Sequence, residues 1–372
     1  MLYLDNSATT PLLPEVKEAM LPYLLEEFGN PSSKYYSYAV NAKEAVELAR
    51  NNVATLLDCD ANEITFTSGS TETNNMIIKG VADYYQSKGK HIITSNVEHP
   101  SVLDTCEFLE TKGYEVTYLN VDQYGRISLE ELRASIRNDT ILVSIMWGNN
   151  ELGSLNNIEE ISNTCKEMGV LFHTDATQVV GKIQLSLEEY PGISFLSCSA
   201  HKFHGPKGTG AAYIKSDEYG VSTPLTPLFH GGGQENGVRS GTLAVHNIVG
   251  MGKAAELAFK SLEENIVKIG ELEQKLTDLL KEKFSNHIIF NNDIVNKIPG
   301  ILNVQFIGIN NEILVKKLAP VMAVSTGSAC SSSKPSHVLA AIGLTLDQIR
   351  NTLRFSLSPL ITIEELLIFN SL

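Results

Sequence analysis

No run of about 18 apolar residues occurs in the chain, so no segment reads as a membrane-spanning helix. The opening Met1-Leu2-Tyr3-Leu4-Asp5 lacks a basic stretch ahead of an apolar core, so no secretory leader is expected and the expected location is cytoplasmic. Basic residues are outnumbered, with 29 Lys and Arg against 43 Asp and Glu. The resulting formal charge of -14 disfavours direct nucleic-acid binding and attraction to anionic membranes. Cysteine is sparse: Cys59, Cys106, Cys165, Cys198 and Cys330 are scattered, with no CxxC pair, which argues against a disulfide framework and against a zinc site. The nine histidines show neither HxxxH nor HExxH spacing, and no metal is expected. No GxGxxG follows the first strand and no GxxxxGKS or GxxxxGKT occurs, which argues against dinucleotide and nucleoside-triphosphate binding.

What is present is an alternating pattern. At 372 residues with 43% hydrophobic content, the chain exceeds one small core, and one large plus one small domain are expected. From about Ala42 to Ala212, strands rich in β-branched residues alternate with amphipathic stretches. Strands are expected at Ile64–Thr67, His91–Thr94, Glu115–Val121, Thr140–Trp147, Val170–His173 and from Ile193 to Ser199, with helices over Glu44–Leu57, after Ser70 and over Asn157–Met168. This is the pattern of βαβ units, hence an α/β fold with a mostly parallel sheet covered on both faces. A long amphipathic helix is expected over Glu256–Phe284. It leads into a smaller α+β part built from Gly300–Phe306, Met322–Ser325, Val338–Ile342 and Leu353–Leu357. Thr362-Ile363-Glu364-Glu365 reads as a capping box.

Ligands of such sheets lie beyond the carboxyl ends of the strands, so the residues after each strand carry the functional signal. The buried run Ile193–Ser199 ends at Ala200-His201-Lys202, followed by Gly205-Pro206-Lys207-Gly208-Thr209-Gly210. A lysine at such a place is a loop residue when read alone, but an amine held out of water can also serve as a Schiff-base nucleophile. Ser68-Gly69-Ser70-Thr71 is either a plain helix cap or a phosphate cradle, with amides and helix dipole aimed at an anion. His99 follows one strand and Asp175, with Gln178 after it, follows another. Asn149-Asn150-Glu151-Leu152-Gly153 is a turn after the most apolar strand, and Arg354 lies in Leu353-Arg354-Phe355-Ser356 as a structural arginine or a bidentate clamp for a carboxylate. Ser325-Thr326-Gly327-Ser328-Ala329-Cys330-Ser331-Ser332-Ser333-Lys334-Pro335 places one cysteine among small residues, a setting of exposure and reactivity.

Taken together, these segments resemble the class V, fold-type I pyridoxal-phosphate enzymes, and within them the cysteine desulfurases of the NifS/IscS type, the DNA-phosphorothioation branch included. The resemblance runs from Tyr3 to the last helix in the family's order. It implies a large pyridoxal 5'-phosphate domain over residues 13–255, and a small domain of 1–12 with 256–372 that carries the cysteine loop. It implies that Lys202 binds the cofactor as a Schiff base and that His99 stacks on its ring and relays protons. Asp175 would pair with the pyridine nitrogen and Gln178 reach the phenolic oxygen. Thr71, Ser199, His201 and, from the other protomer of an obligate homodimer, Thr242 in His230–Thr242 would hold the phosphate. Asn150 and Arg354 would hold the carboxylate of L-cysteine, and Cys330 would take its sulfur as a persulfide for an acceptor protein.

Two departures from the family pattern stand out. Tyr35 replaces a histidine after Gly29-Asn30-Pro31-Ser32-Ser33, and only four residues separate Cys330 from Pro335. The shortened loop and a last helix ending at Leu372 tilt the expectation toward a dedicated pathway. Iron–sulfur assembly, tRNA thiolation and DNA phosphorothioation share this chemistry. A selenocysteine lyase or another class V aminotransferase-like enzyme would share Lys202 and Asp175 without needing Cys330. A non-enzymatic scaffold would be expected to lose Lys202 or Asp175, and a nicotinamide oxidoreductase would need the glycine fingerprint.

Overall fold

The computed structural model describes residues 1–327 and 335–371. Apolar, β-branched runs become strands and the segments with helical periodicity become the helices between them. In chain order, β1 (Leu2–Tyr3) precedes α1 (Pro14–Leu25) and α2 (Ser37–Leu57). Strand and helix then alternate through β2 (Ile64–Thr67), α3 (Ser70–Tyr85), β3 (His91–Ser95), α4 (Pro100–Glu110), β4 (Glu115–Leu119), α5 (Leu129–Ser135), β5 (Thr140–Ser144), α6 (Ile158–Met168) and β6 (Leu171–Asp175). Next come β7 (Ile193–Ser199), β8 (Gly210–Ile214) and the long α7 (Val245–Phe284). The remainder is β9 (Ile288–Phe290), β10 (Ile301–Phe306), α8 (Asn311–Leu318), β11 (Met322–Ala323), α9 (His337–Ala341), α10 (Leu346–Ile349), β12 (Thr352–Ser356) and α11 (Ile363–Leu366).

The main sheet has seven strands in the order β2-β8-β7-β6-β5-β3-β4. Neighbours from β4 to β7 are parallel, and β8 runs antiparallel to both β7 and β2. The carboxyl ends of β2, β3, β5, β6 and β7 therefore share one edge, where Thr67, Ser95, Ser144, Asp175 and Ser199 stand. Strands β5 and β7 are buried along their whole length, as a parallel sheet covered on both faces requires. A separate antiparallel sheet, β12-β10-β9, has its own apolar cluster with the second half of α7, and Leu2 and Leu4 pack into it. β1 pairs in parallel with β11, which ties the first residues of the chain to the last third.

Several boundaries differ from the sequence expectation. β5 stops at Ser144 and not at Trp147, although Ile145 and Trp147 still donate to His173 O and Asp175 O. β4 stops at Leu119, and α2 begins at Ser37, ahead of Glu44. The largest difference is α7, which starts at Val245 and not at Glu256. Gly250 and Gly252 are poor helix formers by intrinsic propensity. In the fold they let α7 approach its neighbours: a Cβ on Gly252 would lie 2.4 Å from Ala49 Cα of α2, and one on Gly250 2.7 Å from Met20 Sδ of α1. Among the described residues, no helix is long and apolar enough to cross a membrane.

Candidate active site

The strand β7 delivers Lys202 through a single 3-10 turn, Ala200–Lys202, in which Phe203 N–H and Gly205 N–H both return to Ala200 O. The N-terminal segment lies across this turn. Thr10 donates to His201 O through both its N–H (2.9 Å) and its hydroxyl (3.0 Å). Half-buried Lys202 directs its Nζ at the same segment, donating to Ser7 O at 2.7 Å and Ala8 O at 2.8 Å. His201 sets Nδ1 3.1 Å from Thr9 Oγ1, and burial, with Lys202, Lys207 and Lys182 nearby, pulls its pKa down to about 4.

One strand over, β6 ends on buried Asp175. Its Oδ1 accepts Thr177 N–H at 3.0 Å and its Oδ2 accepts Asn74 Nδ2 at 2.8 Å. The same Asn74 nitrogen donates to Ser101 Oγ at 2.8 Å, and Ser101 Oγ lies 2.8 Å from His99 Nδ1. Ser101 N–H also points at His99 Nδ1, at 3.1 Å. A backbone N–H can only donate, so Nδ1 is an acceptor and the neutral ring carries its proton on Nε2. Burial lowers the His99 pKa below the usual imidazole value, with Asp175 opposing and Lys202 adding to that shift. A continuous chain of hydrogen bonds, with the Asn74 NH2 donating to both sides, thus links the carboxylate of Asp175 to the imidazole of His99.

The turn between β2 and α3 completes this edge. Gly69 is the N-cap of α3 at φ 147°, a backbone angle that favours glycine, and no side chain caps the helix. The nearest atom to a Cβ placed there is Ser199 Oγ at 3.6 Å, so β7 and this turn face each other. Thr71 is exposed in the first turn, and Glu72 beside it pairs with Arg239, Nε to Oε1 at 2.7 Å. That ion pair tethers the 229–242 segment to the start of α3, and Thr242 at its end is exposed.

Gln178 has both ends of its carboxamide engaged, Nε2 to Ser7 O at 2.9 Å and Oε1 with Lys182 Nζ at 3.0 Å. Arg354 is 1% exposed in β12. Its Nη2 pairs with Asp5 Oδ1 at 2.7 Å, while Nη1 donates to Asn150 O at 2.9 Å and to Gly327 O at 3.3 Å. Its Nε has no hydrogen-bond partner among the described residues.

Residues 2–369 match the aminotransferase class-V family. The chain belongs to that family. It is 45% identical over 369 residues to the cysteine desulfurase IscS of Klebsiella pneumoniae subsp. pneumoniae, covering 98% of this chain and 90% of the relative. It also superposes on the solved structure of a NifS-like protein with a TM-score of 0.92 at 37% identity, covering 100% of this chain and 97% of the other. A structure described as SspA in complex with cysteine gives a TM-score of 0.84 at 38% identity, covering 96% and 99% of the two chains. Class-V members of this kind use pyridoxal 5'-phosphate.

In this class-V chain, Lys202, Asp175, His99, Gln178, Ser199, His201 and Thr71 all stand at one edge of the main sheet. Asn150, in the turn after β5, meets Arg354 through its backbone carbonyl, which accepts Nη1. Cys330 lies outside the described residues. Its flanks converge on buried Glu151: Ser336 Oγ donates to Glu151 Oε2 at 2.6 Å, and a Cβ on Gly327 would fall 2.6 Å from the same oxygen. Sequence reasoning missed Asn74, Ser101, Lys182 and Asp5. Asn74 had a signal, since it lies one turn into the helix that the glycine turn opens. For Asp5 there was none, because its partner is 349 residues away.

Proposed function

We propose that this protein is a pyridoxal 5'-phosphate-dependent cysteine desulfurase, taking sulfur from L-cysteine to give L-alanine and a persulfide on Cys330, which passes to an acceptor protein. The observation that carries the reading is the placement of Lys202, one turn past the end of β7, and of buried, doubly hydrogen-bonded Asp175 at the end of neighbouring β6. The residues present fit the cofactor. The uncapped start of α3, beside Ser199, Thr71 and His201, supplies amide donors and a dipole for a phosphate. Asp175 supplies a carboxylate fixed by Asn74 and Thr177 for a protonated ring nitrogen. When bound, the cofactor supplies an electron sink for the substrate Cα.

The chain's own residues do the rest. Lys202 holds the cofactor and moves the proton at the substrate Cα, with His99 as the second proton carrier. Arg354 and Asn150 hold the substrate carboxylate, and Gln178 lies beside the cofactor lysine. The Cys330 thiolate forms an S–S bond with the substrate sulfur. The Cβ–S bond breaks, its electron pair stays with carbon, and protonation there gives alanine. Residues 13–255 form the cofactor-holding part, with 1–12 and 256–372 as the part that carries Cys330, a reading supported by the packing of Leu2 and Leu4 against the β12-β10-β9 sheet. The active unit is a homodimer in which exposed Thr242 reaches the phosphate of the partner's cofactor.

Incubation of the purified protein with L-cysteine and a thiol reductant should give equal amounts of alanine and sulfide. Borohydride should fix the cofactor to the peptide that contains Lys202. Attachment to Lys207 or Lys182, or sulfide release without alanine, would overturn the reading. Mixed dimers of Lys202→Ala and Thr242→Ala protomers should recover one intact site, and full activity in an isolated monomer would contradict the shared site.

A further inference from the structure

The turn that follows Asp175 carries a second amine. Val179 N–H and Val180 N–H both return to Ala176 O, which makes one helical turn, and Gly181 ends it at φ 74°. Lys182, just past the end of that turn, reaches back to Gln178 within it. Lys182 Nζ donates to Gln178 Oε1 at 3.0 Å. The opposite end of that carboxamide donates to Ser7 O at 2.9 Å, and Ser7 O also accepts Lys202 Nζ at 2.7 Å. Two side chains meet on one carbonyl, and Lys182 stands behind one of them.

Gly181 permits the close approach: a Cβ there would lie 2.9 Å from the Cβ of Phe203, the residue after Lys202. Both lysines also line one cavity of about 310 Å³. Among the described residues, Lys182 has no carboxylate partner.

We infer that Lys182 is a positioning residue for the Lys202 amine, acting through the Gln178 carboxamide, the Ser7 carbonyl and its own charge. The inference rests on the reading of Lys202 as the cofactor lysine. An ammonium group only donates, so it fixes the Gln178 oxygen toward itself and the Gln178 NH2 toward Ser7. A flipped carboxamide would set donor against donor. The charge acts directly as well, because neighbouring cations lower each other's proton affinity and favour the neutral amine. Burial pulls Lys182 down to about 7, with Lys202 and then Arg354 adding to it. The other groups that feel its charge are His201 and His204, and Glu15 and Lys260 also line the cavity.

The test compares Lys182→Arg, which keeps a permanent cation and a donor, with Lys182→Met, which keeps neither. In each holoenzyme the pH midpoint of the cofactor's visible absorbance is titrated, and borohydride maps the attached lysine. The Lys182→Met midpoint should lie above that of Lys182→Arg by about one pH unit, with the wild type between them and Lys202 labelled in all three. Coincident midpoints with Lys202 labelled would overturn the inference alone. Labelling of another lysine in the wild type would overturn the cofactor assignment and the inference with it. Should Lys182→Met fail to fold, Lys182→Gln provides the neutral partner and the same ordering is expected.

Discussion

Arg354 and Asp5, from opposite ends of the chain, form an ion pair, Nη2 to Oδ1 at 2.7 Å, with the arginine buried and the aspartate half-buried. Asn150 O and Gly327 O take the hydrogen bonds of Nη1, which leaves Nε as an unused donor among the described residues. A buried guanidinium with a donor to spare is suited to a carboxylate, and Asp5 holds its plane in place.

Replacing Arg354 with lysine keeps the charge and loses the planar fork. The variant should raise KM for cysteine by about 10- to 100-fold, the range for a hydrogen bond to a charged group, while the cofactor's visible spectrum stays as in the wild type. An unchanged KM would remove Arg354 from the substrate site.

The first half of α7 depends on close contact with α2. Gly252→Ala would place a methyl 2.4 Å from Ala49 Cα, against backbone that cannot step aside. Despite the better helix propensity of alanine, the variant should lose about 1–3 kcal/mol in urea unfolding. Gly270, with nothing within 4 Å of its Cβ position, is the control, and Gly270→Ala should be neutral or stabilising.

His173 is fully buried in β6, with Nδ1 2.8 Å from Ser144 Oγ on β5 and Nε2 2.8 Å from Ser197 Oγ on β7. Burial pulls its pKa down to about 4, with Asp175 opposing. The folded ring stays neutral where the unfolded chain already binds a proton, so the unfolded state takes up more protons below about pH 6.5. The contribution is fully present above that pH and is lost as pH falls toward 4, amounting to about 3 kcal/mol at most. His173→Gln should flatten the fall in stability across that window. Parallel curves for the variant and the wild type would contradict the assignment.

The main sheet was legible because buried parallel strands such as β5 and β7 read as short runs of apolar and small residues spaced by helical segments. The site was legible to a similar degree, since Asp175 closes one buried strand and Lys202 comes one short turn after another. The first turns of α7 were not legible, because helix propensity penalises Gly250 and Gly252 and cannot register a neighbouring helix that requires glycine there. The hydrogen-bond chain from Asp175 through Asn74 and Ser101 to His99 joins three separate segments, and only the folded sheet edge brings them into register. Lys182 escaped notice for a simpler reason: an isolated lysine after a turn carries no signal until a cavity and a second amine stand beside it.

The role of Cys330 is tested most directly by trapping the persulfide. The other four thiols are poor candidates: burial pushes Cys106, Cys165 and Cys198 up to about 12 and Cys59 higher still. Wild-type holoenzyme treated with L-cysteine, then alkylated and mapped by mass spectrometry, should carry one extra sulfur on the Cys330 peptide and none on the others. Cys330→Ser should keep the cofactor spectrum and lose alanine formation, because a serine hydroxyl is hardly ionised at neutral pH. Full alanine formation by Cys330→Ser, or the extra sulfur on another cysteine, would contradict the account.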